Sequence, residues 1–146
     1  MEFSYRNPTA IEFGQGKISA ISELISKDQK VLFVYGFGSI KKNGAYDKVV
    51  KALEIVKKEK IDFILAIGGG SVIDGCKYLA AAAKYDGDVW DFLDGKAEVQ
   101  DALPLGVVLT LAATGSESNN LTVVSRKATN EKRLYFQTIH ILNFQF

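Results

Sequence analysis

Three short stretches rich in Gly, Ser and Thr follow apolar runs in this chain. They are "GFGS" (Gly36 to Ser39), "GGGS" (Gly68 to Ser71) and "TLAATGSESN" (Thr110 to Asn119). Small residues let backbone N–H groups come close to a phosphate, and hydroxyls add donors. Gly68 to Ser71 also opens the helical pattern "SVIDGCKYLAAAAKY". It therefore stands at a helix N-terminus, where orphan N–H groups and the dipole favour an anion. Asp74, in the first turn of that helix, is placed to complement the dipole or to accept from a ligand hydroxyl. One glycine turn is explained as well by tight packing as by a ligand. Three at one expected sheet edge point to a nucleotide or another phosphorylated ligand. Neither G-x-G-x-x-G nor G-x-x-x-x-G-K-[ST] occurs in these turns, so spacing alone gives a ligand class and no particular cofactor.

The remaining chemistry-bearing residues are weaker candidates. Lys41 and Lys42 are placed to reach a phosphate but read more simply as solvated lysines at a helix start. Glu117 is placed to serve as a base but reads more simply as a solvated loop carboxylate. Asp86, Asp88, Asp91 and Asp94 have the wrong spacing for a calcium loop and read as surface charge. Cys76 reads as a small buried residue of a helix face. His140, the single histidine, has no catalytic neighbours in sequence, and Trp90 and Phe92 read as core anchors of a polar, acidic loop.

The elements that must carry these loops follow from periodicity. "AIEFG" reads as a short strand, and Ser19 to Ser26 as a short helix with Ala20, Ile21, Leu24 and Ile25 at helical spacing. "KVLFVYG" and "IDFILAI" read as fully buried strands of a parallel sheet. Between them "AYDKVVKALEIVKKEK" is an amphipathic helix with lysines on its outer side. A third buried strand lies in "LPLGVVLTLAAT", and the last part suggests two short strands with a turn at "KATNEK". Strand, helix, strand, helix, strand is the pattern of a Rossmann-like α/β domain with a parallel sheet and flanking helices.

Size and charge bound the function. The 146 residues are read as one domain, long enough for a real core, at 47% hydrophobic and 24% charged. A net charge of +1 gives no electrostatic case for nucleic acid or an anionic membrane. No apolar run reaches the ~18 residues of a membrane helix, and no signal-peptide layout opens the chain. One cysteine excludes an internal disulfide and a cysteine-based zinc cluster. A cytoplasmic location is expected.

Five segments, "NPTAIEFGQG", "VYGFGSIKKNGAYD", "AIGGGSVIDGCKYLAAAA", "DVWDFL" and "LPLGVVLTLAATGSESN", resemble the iron-containing (group III) alcohol dehydrogenases. The likeness is to their butanol dehydrogenase and broad-range aldehyde reductase branch. It runs over about residues 3 to 135, and the joint occurrence of "GGGS-x-x-D" and "ATGSESN" is its specific part. The resemblance implies a dinucleotide-binding domain. Gly38 and Ser39 would form a first pyrophosphate turn, and Gly69, Gly70 and Ser71 the main one. Asp74 would lie near the nicotinamide ribose. Thr110, Thr114 and Asn119 would contact the adenine and ribose side, and Lys132 would approach the ribose. Gly36 stands where NAD-preferring relatives often carry Asp, which leans towards NADP over NAD.

The resemblance also implies what is missing. Family members carry a further strand and helix before the "GGGS" strand, whereas here one helix pattern runs through Leu53 to Lys57 into it. About one βα unit, with a cofactor-contacting loop, is expected to be lost, leaving apolar faces and strand edges open. "QTIHILNFQF" departs from the family's continuation, as a shifted reading frame would produce. The helical domain that supplies one Asp and three His to Fe or Zn has no counterpart in these residues. Three readings follow. The chain is the incomplete cofactor domain (1–146) of an NAD(P)H-dependent alcohol dehydrogenase or aldehyde reductase, inactive alone. Or it is a non-catalytic, degenerate nucleotide-binding fragment. Or it associates with itself through exposed edges.

Overall fold

A computed structural model describes residues 2, 8–36, 45–137 and 142–146. A five-stranded parallel sheet has the order β1-β7-β4-β3-β2. Its strands are β1 (Ala10–Ile11), β2 (Val31–Tyr35), β3 (Phe63–Gly68), β4 (Leu105–Leu109) and β7 (Leu142–Gln145). The helices are α1 (Ile21–Leu24), α2 (Ala45–Glu59) and α3 (Gly70–Ala82). An antiparallel hairpin, β5 (Leu121–Arg126) and β6 (Glu131–Phe136), stands apart from the sheet and turns between Arg126 and Glu131, as the sequence suggests.

Burial explains the layering. Ten of the thirteen residues of α3 are buried, so this helix has no solvent face to speak of and must lie inside. It is packed between the sheet and the hairpin, against β3 and β5. Ala80, Ala81 and Ala82 let its neighbours approach closely. α2 buries only Val49 and Val56 and keeps Lys51, Lys57 and Lys58 outside, with Lys48 half-buried. The other sheet face holds a small cluster of Ile25, Phe63, Leu65 and Phe144 beneath α1. Arg126 ties the hairpin down, with its guanidinium 4.7 Å from the centre of the Tyr46 ring and 5.0 Å from that of Trp90.

Three sequence expectations need correction. The helix expected over residues 19–26 is a 3-10 turn, Lys17–Ala20, followed by the single α-turn Ile21–Leu24. β2 is not fully buried. Among the described residues it is the last strand of the sheet, and Phe33 and Tyr35 are 59% and 65% exposed. β7 was not foreseen, yet it pairs with both β1 and β4. Its register slips by one residue at Leu105/Gly106, where the Asn143 side chain accepts a hydrogen bond from the Leu105 N–H at 2.9 Å. Phe144 then lies over Gly106, where a Cβ would overlap its ring. The buried anchors Trp90 and Phe92 are as expected, in a 3-10 turn capped by Asp88, whose carboxylate accepts from the Trp90 N–H.

Candidate functional site at the start of α3

β3 ends at Gly68 and α3 begins two residues later, at the C-terminal edge of the parallel sheet. The N–H groups of Val72 and Ile73 both donate to the Gly69 carbonyl, at 3.0 and 3.2 Å. The helical ladder therefore starts there, and the N–H groups of Gly70 and Ser71 precede any intrahelical acceptor. The Thr110 N–H donates to the Gly68 carbonyl at 3.1 Å, which fixes the β4 loop beside this turn.

The three glycines have different reasons to be glycine. A Cβ at Gly68 would come within 2.7 Å of a Val72 methyl, and a Cβ at Gly36 would meet the same methyl at 2.7 Å. A Cβ at Gly70 would press on the Thr114 side chain, with its methyl at 2.9 Å. These positions are bare because the protein's own side chains fill the space. Gly69 differs. A Cβ there would touch Leu111 at an ordinary 3.6 Å, and its φ of −95° suits any residue. No side chain of the protein fills the space at 69; Gly69 is the N-cap of α3, where glycine is favoured, and it leaves the backbone there bare.

The expected site residues fall into groups. Gly69, Gly70, exposed Ser71, exposed Thr110 and exposed Thr114 come together around the turn. Gly38 and Ser39 lie outside the described residues, as do Lys41, Lys42 and His140. Lys132 is exposed on β6, opposite Ser125, whose hydroxyl accepts from the Ala45 N–H at the start of α2. Asp74 and Asn119 face inward. The Asp74 carboxylate accepts from the Ser116 hydroxyl and, at 3.2 Å, from the Val123 N–H.

The group that ties these together is Lys77, which motif reasoning passed over. Its side chain is fully buried, and its ammonium donates to Asn119 O and Oδ1, both at 3.2 Å, and to Leu121 O at 2.5 Å. The Asp74 carboxylate stands 3.7 Å away. Burial pushes the Lys77 pKa down, and Asp74 and Glu117 oppose that shift. A lysine three residues after an aspartate, on a helix otherwise apolar all round, was the signal available in the sequence. Glu117 is not simply solvated: it is half-buried, and its Oε2 is buried without a hydrogen-bond partner among the described residues. Asp91 and Asp94 pair with Lys96, and Asp94 also with Arg133. Cys76 is buried as expected, its thiol pushed up to about 12 by burial.

A cleft of about 130 Å³ opens next to the turn, between Val34 of β2, Ala45 and Val49 of α2, and Ser71, Val72 and Cys76 of α3. Among the described residues no three of His, Cys, Asp and Glu converge as a metal-holding group. These residues do not fit a metal.

A family model of the iron-containing alcohol dehydrogenases matches residues 49–141. The chain belongs to that family. The probable NADH-dependent butanol dehydrogenase 1 of Bacillus subtilis is 45% identical, over 89% of this chain and 41% of its own length. The NADPH-dependent aldehyde reductase YqhD of Escherichia coli K12 is 40% identical, over 95% of this chain and 43% of its own. The crystal structure of E. coli YqhD superposes with a TM-score of 0.87 at 38% identity, over 99% of this chain and 44% of that one. The NADH-dependent butanol dehydrogenase A of Thermotoga maritima gives 0.83 at 39% identity, with the same coverage. The chain spans about two fifths of the length of the curated relatives it matches. The match to the B. subtilis relative runs over 157 residues, more than the 146 here, so that relative carries residues inside the matched region with no counterpart in this chain. Among the described residues, no helix is long and apolar enough to cross a membrane.

Proposed function

We propose that this chain is the nucleotide-holding part of an NAD(P)H-dependent alcohol dehydrogenase or aldehyde reductase, and that the start of α3 receives the cofactor's diphosphate. The observation that carries the reading is Gly69, bare where no side chain of the protein fills the space, at the head of a helix with two N–H groups free of intrahelical partners. Family membership supports a nicotinamide dinucleotide as the anion, and the relatives' names include both NADH- and NADPH-dependent enzymes.

The chain's own residues bind and orient. The N–H groups of Gly70 and Ser71 point at the diphosphate, and the dipole of α3 favours its charge. The hydroxyls of Ser71, Thr110 and Thr114 line the same edge and add donors. Lys77 holds residues 119–121 against α3, so the loop bearing Thr114 keeps its place over Gly70. The nicotinamide, when bound, supplies hydride to an aldehyde or takes it from an alcohol. The described residues fit no metal, so no step here is routed through one. The reading carries an internal loss of about one βα unit, supported by the matched region of the relative being longer than this chain and by the exposure of Phe33 and Tyr35 on β2. It expects nucleotide binding without turnover from these 146 residues, with no carboxylate at position 36 to repel a 2′-phosphate.

The test is calorimetric titration of the purified chain with NADPH and with NADH. Gly69→Ala is expected to keep the denaturation midpoint and lose at least tenfold in affinity. Ser71→Glu puts a carboxylate in the first turn, which the dipole welcomes and a diphosphate does not. It should keep or raise stability and abolish binding. Wild-type affinity in both variants overturns the site; no binding by the wild type overturns the function.

A further inference from the structure

We propose that Glu117 sets the nucleotide site's preference between the oxidised, cationic nicotinamide and the reduced, neutral one, through an excess of negative charge beside α3. This deepens the nucleotide reading and rests on it.

Asp74 and Lys77 are both buried on α3, with the ammonium 3.7 Å from the carboxylate. An ammonium has three donors. Those of Lys77 go to Asn119 O, Asn119 Oδ1 and Leu121 O. None remains for Glu117, although the Glu117 charge acts on Lys77 and helps to keep its proton in place. The hydroxyls on either side are committed as well. Ser116 donates to Asp74, and Ser118 donates to Gln145 Oε1 at 3.3 Å. Glu117 Oε2 is left buried without a hydrogen-bond partner among the described residues. Two carboxylates thus share one ammonium, and among the described residues no other Lys or Arg pairs with either. The formal balance is one negative charge in excess.

An unpaired buried carboxylate oxygen destabilises a fold, and a cation brought by the ligand would offset that. A dinucleotide has one part that qualifies. Its diphosphate is anionic, its riboses and adenine are neutral, and only the oxidised nicotinamide ring is cationic. The sheet order puts that ring on the correct side. The Thr110 N–H donates to the Gly68 carbonyl and Thr114 packs over Gly70, so residues 110–119 border the diphosphate turn on the β4 side. Position 36, which bears on a 2′-phosphate of the adenosine, follows β2 on the other side of β3. The adenosine half takes the β2 side, and the nicotinamide half takes the side of Asp74 and Glu117. A unit charge about 10 Å away, at an effective dielectric of about 20, alters an affinity on the order of tenfold. NAD⁺ and NADH differ by that one charge on the ring, so the effect falls on one and spares the other.

The experiment is calorimetric titration of the purified chain with NAD⁺ and with NADH, in wild type, Glu117→Gln, Glu117→Asp and Glu54→Gln. Glu117→Gln is expected to weaken NAD⁺ about tenfold and to leave NADH within about twofold of wild type. Glu117→Asp keeps the charge and should keep the wild-type ratio of the two affinities. Glu54 is exposed on α2, and its neutralisation should leave that ratio unchanged. Without any ligand, Glu117→Gln should hold or raise the denaturation midpoint, because it removes a carboxylate with an unpaired buried oxygen. An equal ratio in wild type and Glu117→Gln overturns this inference alone. So do a Glu117→Asp variant with the ratio of the Gln variant, a Glu54→Gln variant that shifts the ratio as far, or a loss of stability in Glu117→Gln. A wild type that binds neither cofactor overturns the nucleotide reading and this inference with it.

Discussion

β2 and β3 are neighbours in perfect register, from Val31 opposite Phe63 to Tyr35 opposite Ile67. Both are unbroken apolar runs. β3 lies between β2 and β4, under α3 on one face and the Phe63–Leu65–Phe144 cluster on the other, and Ile64, Leu65 and Ala66 are all but inaccessible. Among the described residues β2 has one strand neighbour, and its Phe33 and Tyr35 are more than half exposed. Hydropathy reports the surroundings a strand suits, whereas burial reports the surroundings it has. The two differ at β2 and agree at β3.

The comparison can be broken in several ways. The largest effect is expected from the polar centre that braces α3. Lys77→Met leaves the Asp74 carboxylate beside an apolar chain and should cost about 3–5 kcal/mol in denaturant unfolding. A loss under about 1 kcal/mol would show that Asp74 finds water instead. Next comes Leu65→Ala in β3, with an expected loss of about 2–5 kcal/mol, while Phe33→Ala in β2 should cost less than about 1 kcal/mol. Equal losses would mean that β2 is covered in solution.

The glycine turn sharpens the same contrast within four residues. Gly70→Ala should cost about 1–3 kcal/mol through the Thr114 side chain, and Thr114→Ala should recover part of it. Gly69→Ala should stay within about 0.5 kcal/mol of wild type.

Alkaline pH probes the core around β3 and α3. The Cys76 thiol is pushed from 9.0 to about 12, and the Tyr135 phenol from 10.0 to about 12, both by burial. Burial raises Tyr78 as well. Between those values the unfolded chain has lost protons that the folded one keeps. Stability from these groups is whole below about pH 9 and falls as pH rises. Lys77 acts with the opposite sign: its lowered pKa makes the folded state gain as pH climbs towards 10.5. One gain against three losses predicts a net fall in the urea midpoint above about pH 9. Cys76→Ala should flatten its first part.

The alternation of elements, the three strands that carry loops and the hairpin turn at residues 127–130 were all legible, because each rests on local periodicity and turn chemistry. The family was legible from "GGGSVID" and "ATGSESN". β7 was not: four residues with a one-residue slip at Asn143 give no clear period, and only pairing with β4 makes them a strand. Glu117 was misjudged because its burial comes from α3 packing against its loop, a contact made over forty residues of sequence. Lys77 was passed over because its partners are mostly backbone carbonyls, which no motif displays.

Val72 has a consequence for how this chain could change over time. One of its methyls occupies the space that a side chain at either 36 or 68 would need. Two positions at the ends of neighbouring strands are thus held by a third, and none of the three is free to drift alone. A larger residue at 36 becomes acceptable only after 72 has shrunk, which would loosen 68 at the same moment. Any evolutionary or engineered route that recruits position 36 has a fixed order of steps, and the first of them lies on α3.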